Sequence, residues 1–223
     1  MCLAVVALDA HPRYALVVAA NRDEYHARPA VPAHWWRDES GSELLAGRDL
    51  EAGGTWLGVT RHGRWAFVTN VREPGLRDHA APTRGQLVPR VLAERRDVFG
   101  TLSDVLTDGA RYNGFNLLAG DIGRGAWGSN RVPLAHALEP GVHGVSNAQL
   151  DTPWPKLERT REGVAAWARA GSDAVDPLFA LLADRTRPND EALPATGVTL
   201  EWERLLSSPF IASELCPSSN AEP

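Results

Sequence analysis

Two short apolar runs at the start of the chain constrain its fold more strongly than any other feature. Leu3–Leu8 and Tyr14–Ala20 are rich in Val and Leu, and residues 9–13 between them carry turn-forming Asp and Pro. Short runs of branched apolar residues on either side of a turn are typical of paired β-strands. The sequence therefore predicts a β-hairpin at the start of the chain.

The rest of the chain repeats the hairpin pattern and then changes to helical patterns. Hairpins followed by helices favour an α+β layered sandwich, and a length of 223 residues fits a single domain over residues 1–223. Val142–Asn147 predicts one further strand. The additional hairpins are predicted at Thr55–Asn70 and Phe115–Gly128, and the helices at Gln86–Arg95, Leu102–Leu106, Pro155–Ala170 and Asp176–Ala183.

Composition and charge exclude several classes of function. A net charge of -5 leaves no surplus of positive charge for a phosphate backbone, so nucleic acid is not a predicted partner. No apolar run approaches the ~20 residues of a membrane span, and the first residues lack the basic start of a signal peptide, so we expect a cytoplasmic protein. Cys2 and Cys216 lack zinc-ligand spacing, and the histidines include no close ligand pair. Neither a metal nor another cofactor is predicted.

Two unusual features of the composition have ordinary explanations. Lys156 is the one lysine among the 23 basic residues, which we attribute to a GC-rich genome. Trp35 and Trp36 lie in a Pro-rich loop, where they would either floor a pocket for an apolar ligand or clamp the loop over the core. The sequence leaves both alternatives open for the tryptophans.

Cys2 and the polar residues that end the second apolar run are the candidate reactive groups. If the first turn is centred near His11, paired residues have numbers that sum to about 22, which places Cys2 opposite residues 20–21. Arg22 or Asp23 would then reach Cys2 by a small twist at the strand end. The alternative is that the polar residues form a solvated turn and that Cys2 is a small buried hydrophobe.

Removal of Met1 would give Cys2 a free α-amine beside its thiol. An α-amine has a pKa of about 7.7–8.0, which suits a general base at neutral pH. Arg22 would lower the pKa of the thiol toward the reactive thiolate, and Asp23 would hold the ammonium form of the amine. These groups together indicate an N-terminal nucleophile.

Asn70 and Asn147 are the candidate donors to the oxyanion that forms when a thiolate attacks an amide carbonyl. Each ends an apolar strand, and Gly53 and Gly54 face Asn70 across its hairpin, which leaves room for close backbone approach. The alternative is that both asparagines simply begin turns.

Several ordered blocks of this sequence resemble the NRDE family, also called the transport and Golgi organization protein 2 family. The match runs in order from Met1 to about Leu157, and Ser208–Ile211 is a weaker echo of it. The blocks are Met1-Cys2, Ala19–Tyr25 with Arg28-Pro29, Gly53–Gly58, Thr69-Asn70, Tyr112–Leu117, and Gly144–Ala148 with Thr152–Lys156.

The resemblance implies an αββα four-layer sandwich of the N-terminal-nucleophile hydrolase type, distantly related to the bile-salt hydrolases and penicillin V acylases. It also links the family to Golgi organisation and to lipid or haem handling, but it brings no hydrolytic substrate. The catalytic candidates are Cys2, Arg22, Asp23, Asn70 and Asn147, with Asn21 and Glu24 in supporting positions.

The chain departs from the family pattern near its end. The family normally continues after Phe210-Ile211 with a Tyr-Gly-Thr-Arg stretch and closing strands, whereas this chain ends at Pro223. We therefore expect the closing C-terminal strands and a family arginine to be missing, and the tail 212–223 to be irregular. Cys216, within this tail, is not a site candidate.

Three functions remain open from the sequence. The first is an amidohydrolase that uses Cys2 on a small non-peptide amide after removal of Met1. The second is a binding or trafficking protein for haem or an acyl lipid on the same scaffold. The third is an inactive product of a shortened gene. The sequence indicates neither the ligand nor the oligomeric state.

Overall fold

The structure is a computed structural model that describes residues 2–132 and 134–212. Contacts group the described residues into two compact units. Unit 1 consists of the described residues within 1–25, 72–77 and 140–223, and unit 2 consists of those within 26–71 and 78–139. The single domain expected from the length of the chain stays a prediction.

The described part of the chain contains ten strands and five α-helices. The strands are β1 (Cys2–Leu8), β2 (Leu16–Arg22), β3 (Ala30–Arg37), β4 (Glu43–Asp49), β5 (Leu57–Thr60), β6 (Trp65–Asn70), β7 (Phe115–Asp121), β8 (Arg124–Ser129), β9 (His136–Leu138) and β10 (Gly141–Val145). The helices are α1 (Leu87–Ala93), α2 (Val98–Thr107), α3 (Pro155–Ala170), α4 (Asp176–Leu182) and α5 (Leu200–Leu205).

Unit 1 is built on an antiparallel sheet in which β1 lies between β10 and β2. Leu3, Val5 and Ala7 of β1 share one apolar core with residues of α3 and α4. Val6 and Leu8, which point to the other face of the sheet, are also buried. Burial on both faces explains why β1 is a continuous apolar run rather than an alternating one.

The predicted hairpin of β1 and β2 is confirmed, but its register was predicted wrongly. Cys2 lies opposite Arg22, not opposite residues 20–21. The true register brings the arginine, rather than the alanine and asparagine before it, directly beside the cysteine.

The loop between β1 and β2 explains the difference in register. Asp9 adopts a left-handed backbone conformation (φ 48°), and the buried His11 ring stacks on Trp167 of α3 at 4.8 Å. The Nδ1 atom of His11 accepts the backbone N–H of Arg13 at 3.1 Å. The loop is therefore shaped by packing against a helix that is distant in sequence. As a result, the turn is centred after His11 rather than at it.

Helix α3 follows its local signals closely. It begins at Pro155, whose missing N–H costs nothing in the first turn, and it ends before Gly171, which takes the left-handed conformation (φ 64°). These bounds are the predicted ones. Helices α1, α2 and α4 confirm the other three helical predictions, with bounds that differ by several residues in α2.

Unit 2 contains a seven-stranded antiparallel sheet whose strands lie in chain order from β3 to β9. Helices α1 and α2 pack on one face of it, where Val91 and Leu102 join Val68 and Leu117 of the strands in one core. The predicted second and third hairpins are the pairs β5–β6 and β7–β8.

The loop predicted around Trp35 and Trp36 is instead an edge strand, β3. An edge strand tolerates proline, and the register of β3 with β4 shifts between Val31 and His34, on either side of Pro32. Trp36 packs against the core and donates to the backbone oxygen of Ala46 at 3.1 Å. The tryptophans thus belong to the sheet, because pairing with β4 outweighs the loop-like composition.

The predicted irregular tail, including Cys216, lies outside the described residues except for Ala212, which is in neither helix nor strand. Strands β4 and β9 and helix α5 were not predicted. Among the described residues, no helix has the length and apolar character needed to span a membrane.

Candidate active site

Cys2 is the first residue of β1 and is buried, with 6% of its surface exposed. Its backbone oxygen accepts a hydrogen bond from the Ser146 hydroxyl at 2.8 Å, which ties the start of β1 to the residue that follows β10. Burial raises the pKa of the Cys2 thiol, although the charge of Arg22 acts in the opposite direction. The thiol at rest is therefore protonated and needs a base before it can attack.

Arg22 is the last residue of β2 and lies directly opposite Cys2 in the antiparallel register. Side chains opposed in this way share one face of the sheet. The Arg22 guanidinium also pairs with the Glu24 carboxylate at 3.2 Å, and both side chains are partly exposed. Arg22 therefore lies opposite Cys2, and its predicted effect on the reactivity of the thiol stays a prediction.

Asp23 follows β2 directly and is largely withdrawn from solvent. Burial raises the pKa of its carboxyl, whereas the charge of Lys156 lowers it. The charge of Lys156, which comes from α3, therefore favours the ionised form of Asp23.

Asn21 has a structural part rather than a chemical one. Its side-chain amide donates to the backbone oxygens of Leu182 at 2.7 Å and Pro209 at 3.0 Å. Asn21 therefore fastens β2 to the end of α4 and to the segment that follows α5. This explains why a polar residue ends an apolar strand.

Asn147 lies just after β10 and is 1% exposed. Its backbone oxygen accepts the N–H of Arg72 at 2.7 Å, and the Ser146 hydroxyl donates toward its Oδ1 atom at 3.2 Å. Since the Ser146 hydroxyl also reaches the oxygen of Cys2, it links the two predicted site residues. Ser146, which is adjacent to the predicted site residue Asn147, was not itself predicted.

Asn70 lies in unit 2, at the end of β6 and opposite Phe115. The other catalytic candidates, Cys2, Arg22, Asp23 and Asn147, all lie in unit 1. A role for Asn70 in the site stays a prediction. Gly54, which was expected to allow close backbone approach, does so against Gly85, whose carbonyl leaves no space for a Cβ atom.

Lys156 is a residue of this region that the sequence analysis set aside. Its side chain is 2% exposed, and its Nζ atom donates to the backbone oxygen of Leu206 at 2.8 Å. Burial lowers the pKa of this amine from 10.5 to about 8, although Asp23 acts to raise it. The sequence signal that could have identified Lys156 is that it is the one lysine of the chain.

A buried ion pair lies next to Lys156. The Arg72 guanidinium contacts the Glu203 carboxylate at 2.8 Å and stacks over the Trp154 ring at 4.8 Å. Glu203 also accepts from the backbone N–H and hydroxyl of Thr196. Because both charged side chains are nearly inaccessible, the cost of desolvating them offsets much of the attraction between them.

The described residues contain no group of three or more His, Cys, Asp and Glu arranged to hold a metal ion. The arrangement offers a thiol, an arginine opposite it, the carboxyl group of Asp23, the buried amine of Lys156 and a buried asparagine.

The sequence matches the profile of the family described as Transport and Golgi organisation 2 over residues 1–218. It is 36% identical to the human Transport and Golgi organization protein 2 homolog over 212 residues, which are 89% of this chain and 76% of the human one. The Bos taurus homolog is also 36% identical, over 95% of this chain and 82% of its own. The Drosophila melanogaster protein is 27% identical over 86% and 76% of the two chains.

A solved structure has the same fold. The Caenorhabditis elegans ortholog of N-acylethanolamine-hydrolyzing acid amidase superposes with a TM-score of 0.54 and 12% sequence identity, over 82% of this chain and 86% of that one. The likeness confirms the predicted fold class, the αββα sandwich of the N-terminal-nucleophile hydrolases. At this identity the comparison concerns the fold alone.

Proposed function

The chain belongs to the Transport and Golgi organisation 2 family, and we propose that it is an amidohydrolase that uses Cys2 on a small non-peptide amide after removal of Met1. One observation carries the proposal: Cys2 starts a buried strand directly opposite Arg22. This pairing puts a thiol, a cation and the place of a free α-amine together.

The proposed reaction begins with the α-amine of Cys2, which takes the thiol proton as the sulfur attacks the amide carbonyl. The tetrahedral intermediate carries its negative charge on the former carbonyl oxygen, where the Asn147 side chain donates a hydrogen bond. The C–N bond then breaks, and the α-ammonium gives its proton to the leaving amine. Water hydrolyses the thioester in the second half, with the α-amine again acting as base.

The raised pKa of the Cys2 thiol supports this order of events. Because burial raises the pKa of the thiol, a thiolate forms only when a base of suitable pKa lies beside it, as the α-amine would after removal of Met1. Asp23 has the role of holding the ammonium form of that base. Arg22 stabilises the thiolate from across the hairpin.

The structural neighbour supports the class of reaction. Its name describes an amidase that hydrolyses N-acylethanolamines, which are small non-peptide amides. Shared fold does not transfer a substrate, so the proposal extends only to the cleavage of an amide bond by an N-terminal cysteine.

Hydrolysis of a panel of fluorogenic N-acyl amides tests the proposal. We expect turnover of at least one member by the wild-type protein, its loss in Cys2→Ala, and its retention in Cys216→Ala as the matched control. Turnover that survives in Cys2→Ala would contradict the proposal.

A second candidate function, carriage of an acyl lipid without catalysis, is favoured by an open apolar groove on unit 1. The groove lies between α3 and α4, has a volume of about 720 Å³, and is lined by Trp167, Leu181 and Gly163 among others. Its lining residues include no His, Cys, Met or Tyr that could ligate haem iron, so an acyl chain fits it better than haem.

Titration with a fluorescent fatty acid tests this second candidate. We expect saturable binding that Leu181→Glu removes and that Leu134→Glu, at an exposed leucine of unit 2, leaves intact. Absence of saturable binding to the wild-type protein would eliminate it.

A further inference from the structure

The regular pairing of β1 with β10 ends short of Cys2, at Ala4 and Val145. Beyond this pair a side chain joins the two segments, because the Ser146 hydroxyl donates to the backbone oxygen of Cys2 at 2.8 Å. Ser146 is buried, and a hydrogen bond in such surroundings is electrostatically stronger than one in water. The start of β1 is therefore fixed to the residue that precedes Asn147.

The same hydroxyl faces the side chain of Asn147. It donates toward the Oδ1 atom of Asn147 at 3.2 Å. An asparagine amide has an acceptor oxygen at one end and two N–H donors at the other. With the Oδ1 end turned toward Ser146, the Nδ2 end of the amide is turned away from it. The hydroxyl therefore favours one of the two orientations of the amide.

The backbone that carries Ser146 and Asn147 is held by other groups. The Asp151 N–H donates to the Gly144 oxygen at 2.7 Å, and the Asp151 carboxylate accepts the Gly144 N–H at 2.8 Å. The backbone oxygen of Asn147 accepts the N–H of Arg72 at 2.7 Å. Because these bonds do not involve the Ser146 side chain, loss of its hydroxyl should leave the path of the backbone unchanged.

We propose that Ser146 is a positioning residue, whose hydroxyl fixes the Asn147 amide relative to Cys2 so that its N–H groups face the oxyanion. The inference rests on the proposed function, because it presupposes that Asn147 donates to the oxyanion. The thiol and the α-amine both belong to Cys2, so their mutual geometry does not depend on Ser146. The position of the donor relative to the nucleophile does depend on it.

Steady-state kinetics of Ser146→Ala, on an amide that the wild-type protein turns over, tests the inference. We expect kcat to fall about tenfold with little change in KM, a smaller loss than the roughly 100- to 1,000-fold typical of removing the donor itself. In an Asn147→Ala background, Ser146→Ala should have no further effect, because no amide remains to be oriented.

Ser129→Ala is the matched control for Ser146→Ala. Ser129 is also buried, and its hydroxyl donates to the backbone oxygen of Phe115 at 2.7 Å, but it lies in unit 2. Its loss should lower Tm by a similar amount and leave kcat unchanged. Equal kcat values in the two variants, or the same effect of Ser146→Ala with and without Asn147, overturns the inference.

Alkylation of Cys2 by iodoacetamide separates orientation of the donor from damage to the nucleophile. This reaction forms no tetrahedral oxyanion, so its rate in Ser146→Ala should equal that of the wild-type protein. Slower alkylation in Ser146→Ala would mean that the hydroxyl acts on Cys2 itself, which overturns the inference.

The amide of Asn147 can also be observed without turnover. In protein labelled with ¹⁵N-asparagine, its side-chain signals are the pair that is missing from Asn147→Ala. We expect this pair to shift in Ser146→Ala and to stay in place in Ser129→Ala. An unchanged pair in Ser146→Ala overturns the inference alone. A wild-type protein that turns over no amide overturns the proposed function, and the catalytic role of Ser146 with it.

Discussion

At the scale of single residues, the candidate site contains ionisable side chains whose charged forms are disfavoured by burial. Burial raises the pKa of Asp23 and lowers the pKa of Lys156, and both shifts favour the neutral form. The charge of each residue opposes the shift of the other. Groups displaced in this way cluster at functional sites more often than elsewhere. The same displacement makes the stability of the protein depend on pH.

Lys156→Met should change how stability varies with pH. The pKa of Lys156 in the folded protein is about 8, below its unfolded value, so the unfolded chain binds more protons between about pH 8 and pH 10. The lysine therefore costs about 3 kcal/mol below pH 8, and this cost disappears as pH rises through the window. The free energy of unfolding of the variant, relative to wild type, should be higher at pH 7 than at pH 10.

Urea unfolding at the two pH values measures this difference. Both proteins are compared in a Cys2→Ala background, because the raised pKa of Cys2 contributes an opposite slope and Cys2 is one of the groups that act on Lys156. If the difference in the free energy of unfolding between the two proteins is the same at pH 7 and pH 10, the pKa of Lys156 is not lowered in the folded protein.

Asn147→Ala should slow the reaction by removing an oxyanion donor. Loss of one such donor typically lowers kcat by roughly 100- to 1,000-fold with little change in KM. The matched control is Asn113→Ala, at a partly buried asparagine of unit 2 whose side chain bonds to Asp78. Steady-state kinetics on any amide that the wild-type protein turns over would decide the matter, and equal kcat values in the two variants would exclude Asn147 from catalysis.

At the scale of elements, the site depends on how β2 is held. Asn21 reaches the last residue of α4 and the segment after α5 through two hydrogen bonds from one amide. This fixes the strand end from which Arg22 and Asp23 project. A structural residue at the start of a conspicuous polar tetrapeptide explains part of a pattern that otherwise suggests chemistry throughout.

Asn21→Ala should cost stability without changing the chemistry. It leaves two backbone oxygens without their donor, at a cost of about 2 kcal/mol. Asn189→Ala, at an exposed asparagine whose side chain makes no capping bond, should cost close to nothing. Thermal melts measure the cost, and a changed pH profile of Cys2 alkylation in Asn21→Ala would mean that Asn21 acts on the site itself.

Local signals predicted the elements that depend on local chemistry. Proline at the start and glycine after the end located α3 to the residue, because both act within one helical turn. The register of β1 and β2 could not be predicted, because the loop packs through His11 on Trp167, which is distant in sequence. Strand β3 was missed for a similar reason, since only its pairing with β4 makes a Pro-containing segment extended.

The same distinction holds for the site. The chemistry of an N-terminal cysteine indicated Cys2 and its neighbours in the hairpin, where the chain itself brings the groups together. Ser146 and Lys156 were missed, because a hydroxyl and an amine are ordinary in sequence and gain meaning only from burial. Lys156 in particular was explained by composition, although its environment is unlike that of a surface lysine.

At the scale of the whole molecule, the order of the two units along the chain has energetic consequences. Unit 1 consists of three separate stretches of the chain, and all of unit 2 lies between its strands β2 and β10 in the sequence. If unit 2 unfolded alone, the sheet of unit 1 would have to close a long flexible loop, which costs conformational entropy. The chain is therefore expected to unfold as one body.

Differential scanning calorimetry tests this expectation and, with it, the prediction of a single domain. We expect one transition whose van't Hoff enthalpy equals its calorimetric enthalpy. Two resolved transitions would show that the units unfold independently.

The fold itself tolerates wide divergence in sequence, as the 12% identity at a TM-score of 0.54 shows. What such relatives share is the pattern of buried positions rather than particular residues, and function depends on the site placed on that pattern. The family and the fold are shown, and in the proposed reaction Cys2 is the nucleophile.

Intact-mass spectrometry before and after treatment with a thiol electrophile tests the central claim most directly. We expect the purified protein to lack Met1 and to gain one adduct at Cys2, with the adduct lost in Cys2→Ser and kept in Cys216→Ser. Retention of Met1, or an adduct confined to Cys216, would contradict an N-terminal cysteine nucleophile.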